Sequence, residues 1–468
     1  MNRIPNNMRP RALSAVLAVI AVMLAGCGSR ATPARAAGDS DYKAPLDAYI
    51  QRPEAAYKWE KVAGEPTANG AGVYELKLTS QEWQGQPWTH RVQVIRPAQL
   101  KFPDTALIFV TFGTPGLQET LLAQIAANSI GATFVNLFGI PNQPLYGMRE
   151  DDLIAHTFQK YLETGDDTWP LLFPMTKSVV KAMDAMEEFS KQEWKQPVTR
   201  FIISGASKRG WTTWLTGAVD RRVIGIIPLV YDNLNLEKQM PHQIETWGKY
   251  SEMIEDYTRR GLQQQMETER GRRLGAMVDP YTYRDRLTMP KLIINGTNDP
   301  YWTLDSFNLY RSDLQGPTNV LYVPNAGHNL GGQEQYGRIF GTTAAWFQRV
   351  AAGQEVPTVA TKAAPVDAAN PAGPHRFTVT TNAGDDLKTV RLWVARSATR
   401  DFRKAKWEAV PMTKDKDQAG SYHAEVPAGE GEMKYAAAIG EVEIALEDSP
   451  LPLRLSSPVV IVGGEGID

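Results

Sequence analysis

Phe201-Ile-Ile-Ser-Gly-Ala-Ser-Lys-Arg-Gly-Trp211 decides how the chain is read. An apolar run enters Gly205-Ala206-Ser207, and a helical pattern over 208–219 begins at once. Buried strand, tight turn and helix in that order are the context of a nucleophile elbow. Such a turn leaves little room two residues before the serine, and Gly205 meets that need. The helix that follows aims its first amide donors at the serine and favours negative charge developing there. The common elbow is Gly-x-Ser-x-Gly; here Arg209 takes the second position after the serine and glycine arrives at Gly210. Arg209 needs room, so the packing against the neighbouring strand must differ. A plain strand-to-helix turn with a capping serine has the same local pattern, so the motif needs partners before it means catalysis.

The flanking chain supplies a sheet for this turn. Val73-Tyr-Glu-Leu-Lys-Leu and His90-Arg-Val-Gln-Val-Ile alternate apolar and polar residues, as half-buried antiparallel strands do. Ala106-Leu-Ile-Phe-Val-Thr-Phe, Val223-Ile-Gly-Ile-Ile-Pro-Leu-Val, Lys291-Leu-Ile-Ile-Asn and Asn319-Val-Leu-Tyr-Val are continuous apolar runs, as in strands covered on both faces. Ala132-Thr-Phe-Val-Asn-Leu reads as a further strand, and helical patterns fall at 117–129, within 149–192, at 208–219, within 242–276 and near 333–350. The fold class is α/β, with a mostly parallel, doubly wound sheet made mixed by its first two strands. Ligands in such sheets sit beyond the carboxyl ends of the strands.

Two turns at that edge carry the partners. Asn295-Gly-Thr-Asn-Asp-Pro300 follows one strand and presents Asp299; Asn325-Ala-Gly-His-Asn329 follows the next and presents His328. The order Ser207…Asp299…His328 is that of the α/β-hydrolases, unlike the chymotrypsin and subtilisin orders. In that arrangement His328 takes the Ser207 proton during attack on a carbonyl, and Asp299 fixes the imidazole tautomer. The backbone N–H of Lys208 is one expected oxyanion donor. Thr114 or Gly116, in the loop Gly113-Thr-Pro-Gly116, is the other, Pro115 having no N–H to give. Asp232, in Val230-Tyr-Asp-Asn, is the competing acid, and strand position favours Asp299. Lys208 and Arg209 could attract an anionic substrate, but an ion-paired role is the more ordinary one.

The 468 residues fit two or three domains, with 43% hydrophobic and 22% charged residues, in the globular range. A net charge of −2 gives no broad footprint for nucleic acid. A single cysteine excludes an intramolecular disulfide, and His156 and His242 have no ligand-spaced neighbours, so neither metal nor cofactor is expected. That cysteine is Cys27. Arg3, Arg9 and Arg11 precede the uncharged stretch Ala12–Gly26, shorter than the roughly 20 residues of a membrane span. Basic residues before a short apolar run read as a secretory signal over 1–26. Leu24-Ala-Gly-Cys27 resembles the lipobox of bacterial lipoprotein signals, which implies cleavage before Cys27, a lipid anchor on its sulfur and membrane attachment. Gly28 in place of aspartate favours the outer membrane, facing the periplasm or the cell surface.

Residues 27–45 read as lipidated cysteine and flexible tether, 46–350 as the α/β-hydrolase domain, and 237–280 within it as an insertion capping the site. The Ala/Pro-rich stretch 351–374 reads as a linker. The short alternating runs of 375–468 read as a β-sandwich-like domain that braces the hydrolase. Trp211, Trp214, Trp247 and Trp302 lie near the proposed mouth in sequence, where core packing is the commoner use of such rings.

Together, Gly205-Ala-Ser-Lys-Arg-Gly-Trp-Thr-Thr-Trp-Leu-Thr216, Pro141-Asn-Gln-Pro-Leu145, Thr168-Trp-Pro with Pro174-Met-Thr-Lys177, and Asn295-Gly-Thr-Asn-Asp-Pro-Tyr-Trp302 resemble the PhoPQ-activated pathogenicity-related proteins. Arg209 is part of that pattern. The resemblance implies an α/β-hydrolase fold and a link to bacterial envelope stress and virulence, and it names no substrate. The expectation is a serine hydrolase acting on an ester, amide or peptide bond of a small molecule or peptide. The alternative is a catalytically idle surface or periplasmic binding protein with the same fold.

Overall fold

The computed structural model describes residues 39–467 apart from 430, 447–448 and 464–465. The expected signal peptide and Cys27 lie outside the described residues. Helix α1 (Asp39–Gln51) corrects the last part of the expected tether, residues 39–45; the rest of that stretch lies outside the described residues. Leu46 and Tyr49 are buried, Lys43 Nζ lies 2.7 Å from Asp285 Oδ1, and Asp47 holds Arg286 through both carboxylate oxygens. Composition marked this stretch as flexible; the buried Leu and Tyr give its end something to pack.

The main sheet follows from the apolar runs. Its strands in chain order are β1 (Lys58–Ala63), β2 (Gly72–Trp83), β3 (Gln86–Arg96), β4 (Phe102–Val110), β5 (Ala132–Leu137), β6 (Arg200–Ala206), β7 (Val223–Leu229), β8 (Lys291–Gly296) and β9 (Thr318–Val323). Their order in space is β1-β2-β3-β5-β4-β6-β7-β8-β9. Pairs β1/β2, β2/β3 and β3/β5 are antiparallel; β5, β4, β6, β7, β8 and β9 run parallel. This is an α/β-hydrolase-like mixed sheet with a parallel core.

Helices cover both faces, and alternation along β6 shows how. Phe201 and Ile203 join one buried cluster, with residues of α4 (Leu172–Trp194) and α5 (Lys208–Val219). Ile202 points the other way, into a cluster with α2 (Leu117–Ile130) and the late helix Gln333–Ala351. Period-two alternation makes both clusters possible from one strand. The helical stretch within 149–192 resolves into α3 (Glu150–Thr164) and α4, broken at Gly165 with φ 74°. The insertion contains α6 (Leu236–Trp247), α7 (Glu255–Thr258), α8 (Leu262–Gln265) and α9 (Glu269–Val278). The late helix is α10.

Beyond α10 the chain is all β: β10 (Val359–Pro365), β11 (Pro374–Thr381), β12 (Leu387–Ser397), β13 (Glu408–Pro411), β14 (Thr413–Lys414), β15 (Ser421–Pro427), β16 (Tyr435–Leu446), β17 (Ser449–Ser456), β18 (Val460–Gly463) and β19 (Gly466–Ile467). Strands β10, β11, β15 and β14 form a separate small antiparallel sheet. Phe377, Val379 and Val426 of this sheet share a core with Leu392, Val394, Ala436 and Ala438 of β12 and β16.

Two boundaries differ from expectation. Strand β10 lies inside the stretch read as a linker and pairs along its length with β11. Ala360 and Ala364 on its exposed face gave no polar contrast to the inward Val359 and Ala363, which hid the alternation. Strands β17, β16, β12 and β13 continue the main sheet beyond β9 through the pair Ser456–Val320, and Gly38–Asp468 form one compact unit. These C-terminal strands thus extend the main sheet, while β10, β11, β14 and β15 form the separate one. Among the described residues no helix is long and apolar enough to cross a membrane.

Candidate active site

The elbow is built from two close approaches. A Cβ on Gly205 would stand 2.7 Å from the Arg209 carbonyl oxygen, and one on Gly210 would stand 3.0 Å from the Leu229 carbonyl oxygen of β7. Gly210 therefore makes the approach to the neighbouring strand, and Arg209 is free to turn aside. Ser207 sits between them at φ 57°, ψ −124°, a region that non-glycine residues enter only when the surroundings hold them there. Its N–H donates to the Leu229 carbonyl at 2.9 Å, and its own carbonyl accepts from Trp211 at 3.0 Å.

Asp299 and His328 arrive on loops after β8 and β9. The loops pack backbone to backbone: a Cβ on Gly296 would come within 2.4 Å of the Ala326 carbonyl oxygen. The Asn298 N–H donates to that carbonyl at 2.9 Å, and the Asn325 N–H donates to Thr297 Oγ1 at 2.9 Å. His328 Nε2 lies 2.9 Å from Ser207 Oγ, and His328 Nδ1 lies 2.8 Å from Asp299 Oδ2. With the proton on Nδ1, the ring donates to Asp299 and accepts from Ser207. The other Asp299 oxygen accepts the Tyr301 N–H at 2.8 Å. The Tyr301 ring stacks on the imidazole at 4.0 Å between centroids, leaving the histidine little freedom to turn.

Asp232 does not touch His328. Its carboxyl accepts from the Tyr310 hydroxyl at 2.6 Å. Burial pushes its pKa up to about 7 despite that bond, with the Asp299 charge adding to the rise. It shares a small polar pocket with Asp299, Asn295 and Tyr322 behind the loop.

Lys208 and Arg209 are both ion-paired. Arg209 forks onto Glu150 with two bonds of 2.7 Å and donates through Nε to the Ile140 carbonyl at 2.6 Å, its guanidinium lying over Phe112. Lys208 Nζ stands 3.0 Å from both Glu150 and Asp151. Burial works against the Glu150 carboxylate, but the bonds and charge of Arg209 and the charge of Lys208 outweigh it and hold its pKa at about 2. Glu150 and Tyr301 were missed in the sequence. Nothing local marks Glu150, which lies far from the elbow along the chain; Tyr301 at least stands in the Asp299 motif.

The oxyanion candidates can be placed by element. Lys208 opens α5 directly after Ser207, where first-turn N–H groups have no intrahelical acceptor. Val110 pairs in register with Gly205, so the loop after β4 leaves the sheet beside the elbow. That loop carries Thr114, which is exposed, and Gly116, the extended residue that caps α2.

A cavity of about 630 Å³ opens at Ser207. The insertion walls it with Met240, Ile254, Tyr257 and Leu262, opposite Trp211, Tyr231 and Trp302. Trp211 and Tyr231 stack at 5.1 Å. Trp214 is core, and Trp247 lies under the guanidinium of Arg403. Asp151, in the cavity lining, accepts the Tyr257 hydroxyl at 2.9 Å and pairs with Lys208, so its charge is already partnered. His156 and His242 lie on α3 and α6, and among the described residues no group of three or more His, Cys, Asp or Glu is placed to hold a metal.

Comparison with known proteins bears on this site. The chain is 37% identical over 321 residues to autocrine proliferation repressor protein A of Dictyostelium discoideum, which covers 63% of this chain. The chain in turn spans 63% of that relative's length. Among solved structures, acetyl xylan esterase 1 from a Thermoanaerobacterium species aligns with a TM-score of 0.43 at 13% identity, covering 67% of this chain and 93% of its own. The Pyrococcus horikoshii acylaminoacyl peptidase aligns with a TM-score of 0.38 at 15% identity, covering 62% of this chain and 50% of its own. The sequence model of one family matches residues 46–403, a span that includes the elbow, both loops and the insertion. The chain belongs to the PhoPQ-activated pathogenicity-related protein family.

Proposed function

We propose that this protein is a serine hydrolase that cleaves an ester, amide or peptide bond through an acyl-enzyme. The observation that carries the reading is the pair of bonds from His328, 2.9 Å to Ser207 Oγ and 2.8 Å to Asp299 Oδ2. Distances in this range suit a base within reach of the proton it removes. Ser207 attacks the carbonyl as His328 takes its proton; the imidazolium, held by Asp299, returns the proton to the leaving group. Water then repeats the sequence on the acyl-enzyme. The Lys208 N–H and an N–H from Thr114 or Gly116 receive the developing oxyanion, each such donor being worth about 3–4 kcal/mol in the transition state. The aromatic and aliphatic walls suit a substrate with a bulky neutral group beside the scissile bond. Lys208 and Arg209, already neutralised by Glu150 and Asp151, give no preference for an anion.

The same reading attaches the protein to the bacterial envelope through lipid on Cys27. Two or more acyl chains anchor stably, at about 0.8 kcal/mol per buried CH₂. The test is fluorophosphonate labelling of residues 28–468 beside Ser207→Ala. Labelling that vanishes in the variant supports an activated serine. A folded, unlabelled wild type favours the idle binding protein instead.

A further inference from the structure

The loop joining β12 to β13, residues 398–407, is much longer than the roughly 2–5 residues usual between antiparallel neighbours. It is also ordered by its own contacts: Ser397 Oγ donates to the Asp401 carbonyl at 2.8 Å, and Arg403 forks onto Asp401. Its outer contacts fall on three parts of the active site. Asn298, next to Asp299, donates through Nδ2 to the Ala405 carbonyl at 2.7 Å. Asn325, three residues before His328, pairs with both sides of the Trp407 backbone, donating to its carbonyl at 2.9 Å and accepting from its N–H at 2.8 Å. Arg403 lays its guanidinium 4.1 Å over the ring of Trp247, at the end of the capping helix α6. Arg400 reaches Asp305 at 2.7 Å, and the same carboxylate holds His242 of α6 at 2.8 Å. Phe402 and Trp407 are each 2% exposed, so the loop is anchored in the core and not draped over it.

We propose that residues 398–407 form a tie that sets the Asp299 and His328 loops at one end and the cap over the cavity at the other. This makes the C-terminal β region an obligatory part of the catalytic unit. Asn298 and Asn325 are positioning residues for the acid and the base, and Arg403 is a positioning residue for the cap. The inference rests on the serine-hydrolase reading above. Each hydrogen bond contributes only about 1 kcal/mol to stability, too little to unfold the protein on removal. A displacement of about 1 Å at a reacting group, by contrast, can slow chemistry about a hundredfold. Asn325 also stands at φ 58°, a conformation asparagine tolerates better than most residues, so its replacement there should be glycine.

The test uses the chain from residue 28 and an uncharged aryl ester. Asn298→Ala and Asn325→Gly are expected to lower kcat about tenfold or more with KM held within about twofold. They should also shift the pH midpoint of fluorophosphonate labelling, while Tm changes by only a few degrees. Arg403→Ala is expected to raise KM severalfold and leave kcat within about twofold. Hydrogen exchange should quicken in 296–305 and 324–330 for the asparagine variants, and in 236–250 for Arg403→Ala. Folded variants with wild-type kcat, KM and exchange would overturn the tie. So would variants whose kcat falls only in proportion to the folded fraction, with the pH midpoint of labelling unmoved, the mark of a structural role alone. A wild type that neither labels nor turns over would sink the hydrolase reading, and exchange in those segments would still decide the tie.

Discussion

Arg209 stands where an elbow usually has glycine, and its bonds to Glu150 and the Ile140 carbonyl explain how the turn survives the exchange. Two carboxyls near this site are displaced in opposite directions, and the signs can be tested. Glu150, held at about pKa 2 against its ordinary 4.5, contributes stability that is fully present above pH 4.5 and lost as pH falls toward 2. Glu150→Gln should flatten that part of a Tm-against-pH curve. Asp232, raised to about 7 from 3.8, does the reverse: its buried form loses stability as pH rises from about 4 through 7. Asp232→Asn keeps an acceptor for Tyr310 and should melt higher than wild type at pH 8, with kcat within about threefold of it. Asp299→Asn should lower kcat about 10³–10⁴-fold, because the amide favours the wrong imidazole tautomer. The opposite ranking of these two variants would move the acid to Asp232.

Elements were legible in proportion to the strength of their period. The parallel-core runs and the elbow had clear patterns, and the structure places strands and a tight turn there. Strand β10, with apolar Ala360 and Ala364 on its exposed face, gave no alternation to read, and α1 was hidden by the composition before it. Asp299 and His328 could be found because loops after consecutive strands come to one edge. Glu150, Asn298 and Asn325 could not, because a side chain that bonds to a group far away along the chain leaves no periodic trace. The glycines of the elbow make a prediction at this scale. Gly205→Ala forces a Cβ against the Arg209 backbone and should cost about 1–3 kcal/mol while slowing the labelling of Ser207. Urea unfolding and labelling rates on one preparation would check both.

At the scale of the molecule, the second half of the sheet is joined to the first by one ladder pair and a shared core. Val442, Ile444, Leu453 and Leu455 lie in the same buried cluster as Trp346 of α10 and Leu321 of β9. Removal of residues 359–468 should therefore leave an unpaired edge and an uncovered apolar face, and yield aggregated protein on size-exclusion chromatography. The pairing of Ser456 with Val320 also has a consequence in time. The strand that covers β9 is made 136 residues after the position it pairs with, so the central sheet keeps an open flank through the last part of synthesis. Chains with such distant pairings fold slowly. Under the export we propose for this chain, that delay is a property of use: the polypeptide stays threadable until the whole length is available, and closes only once it has arrived.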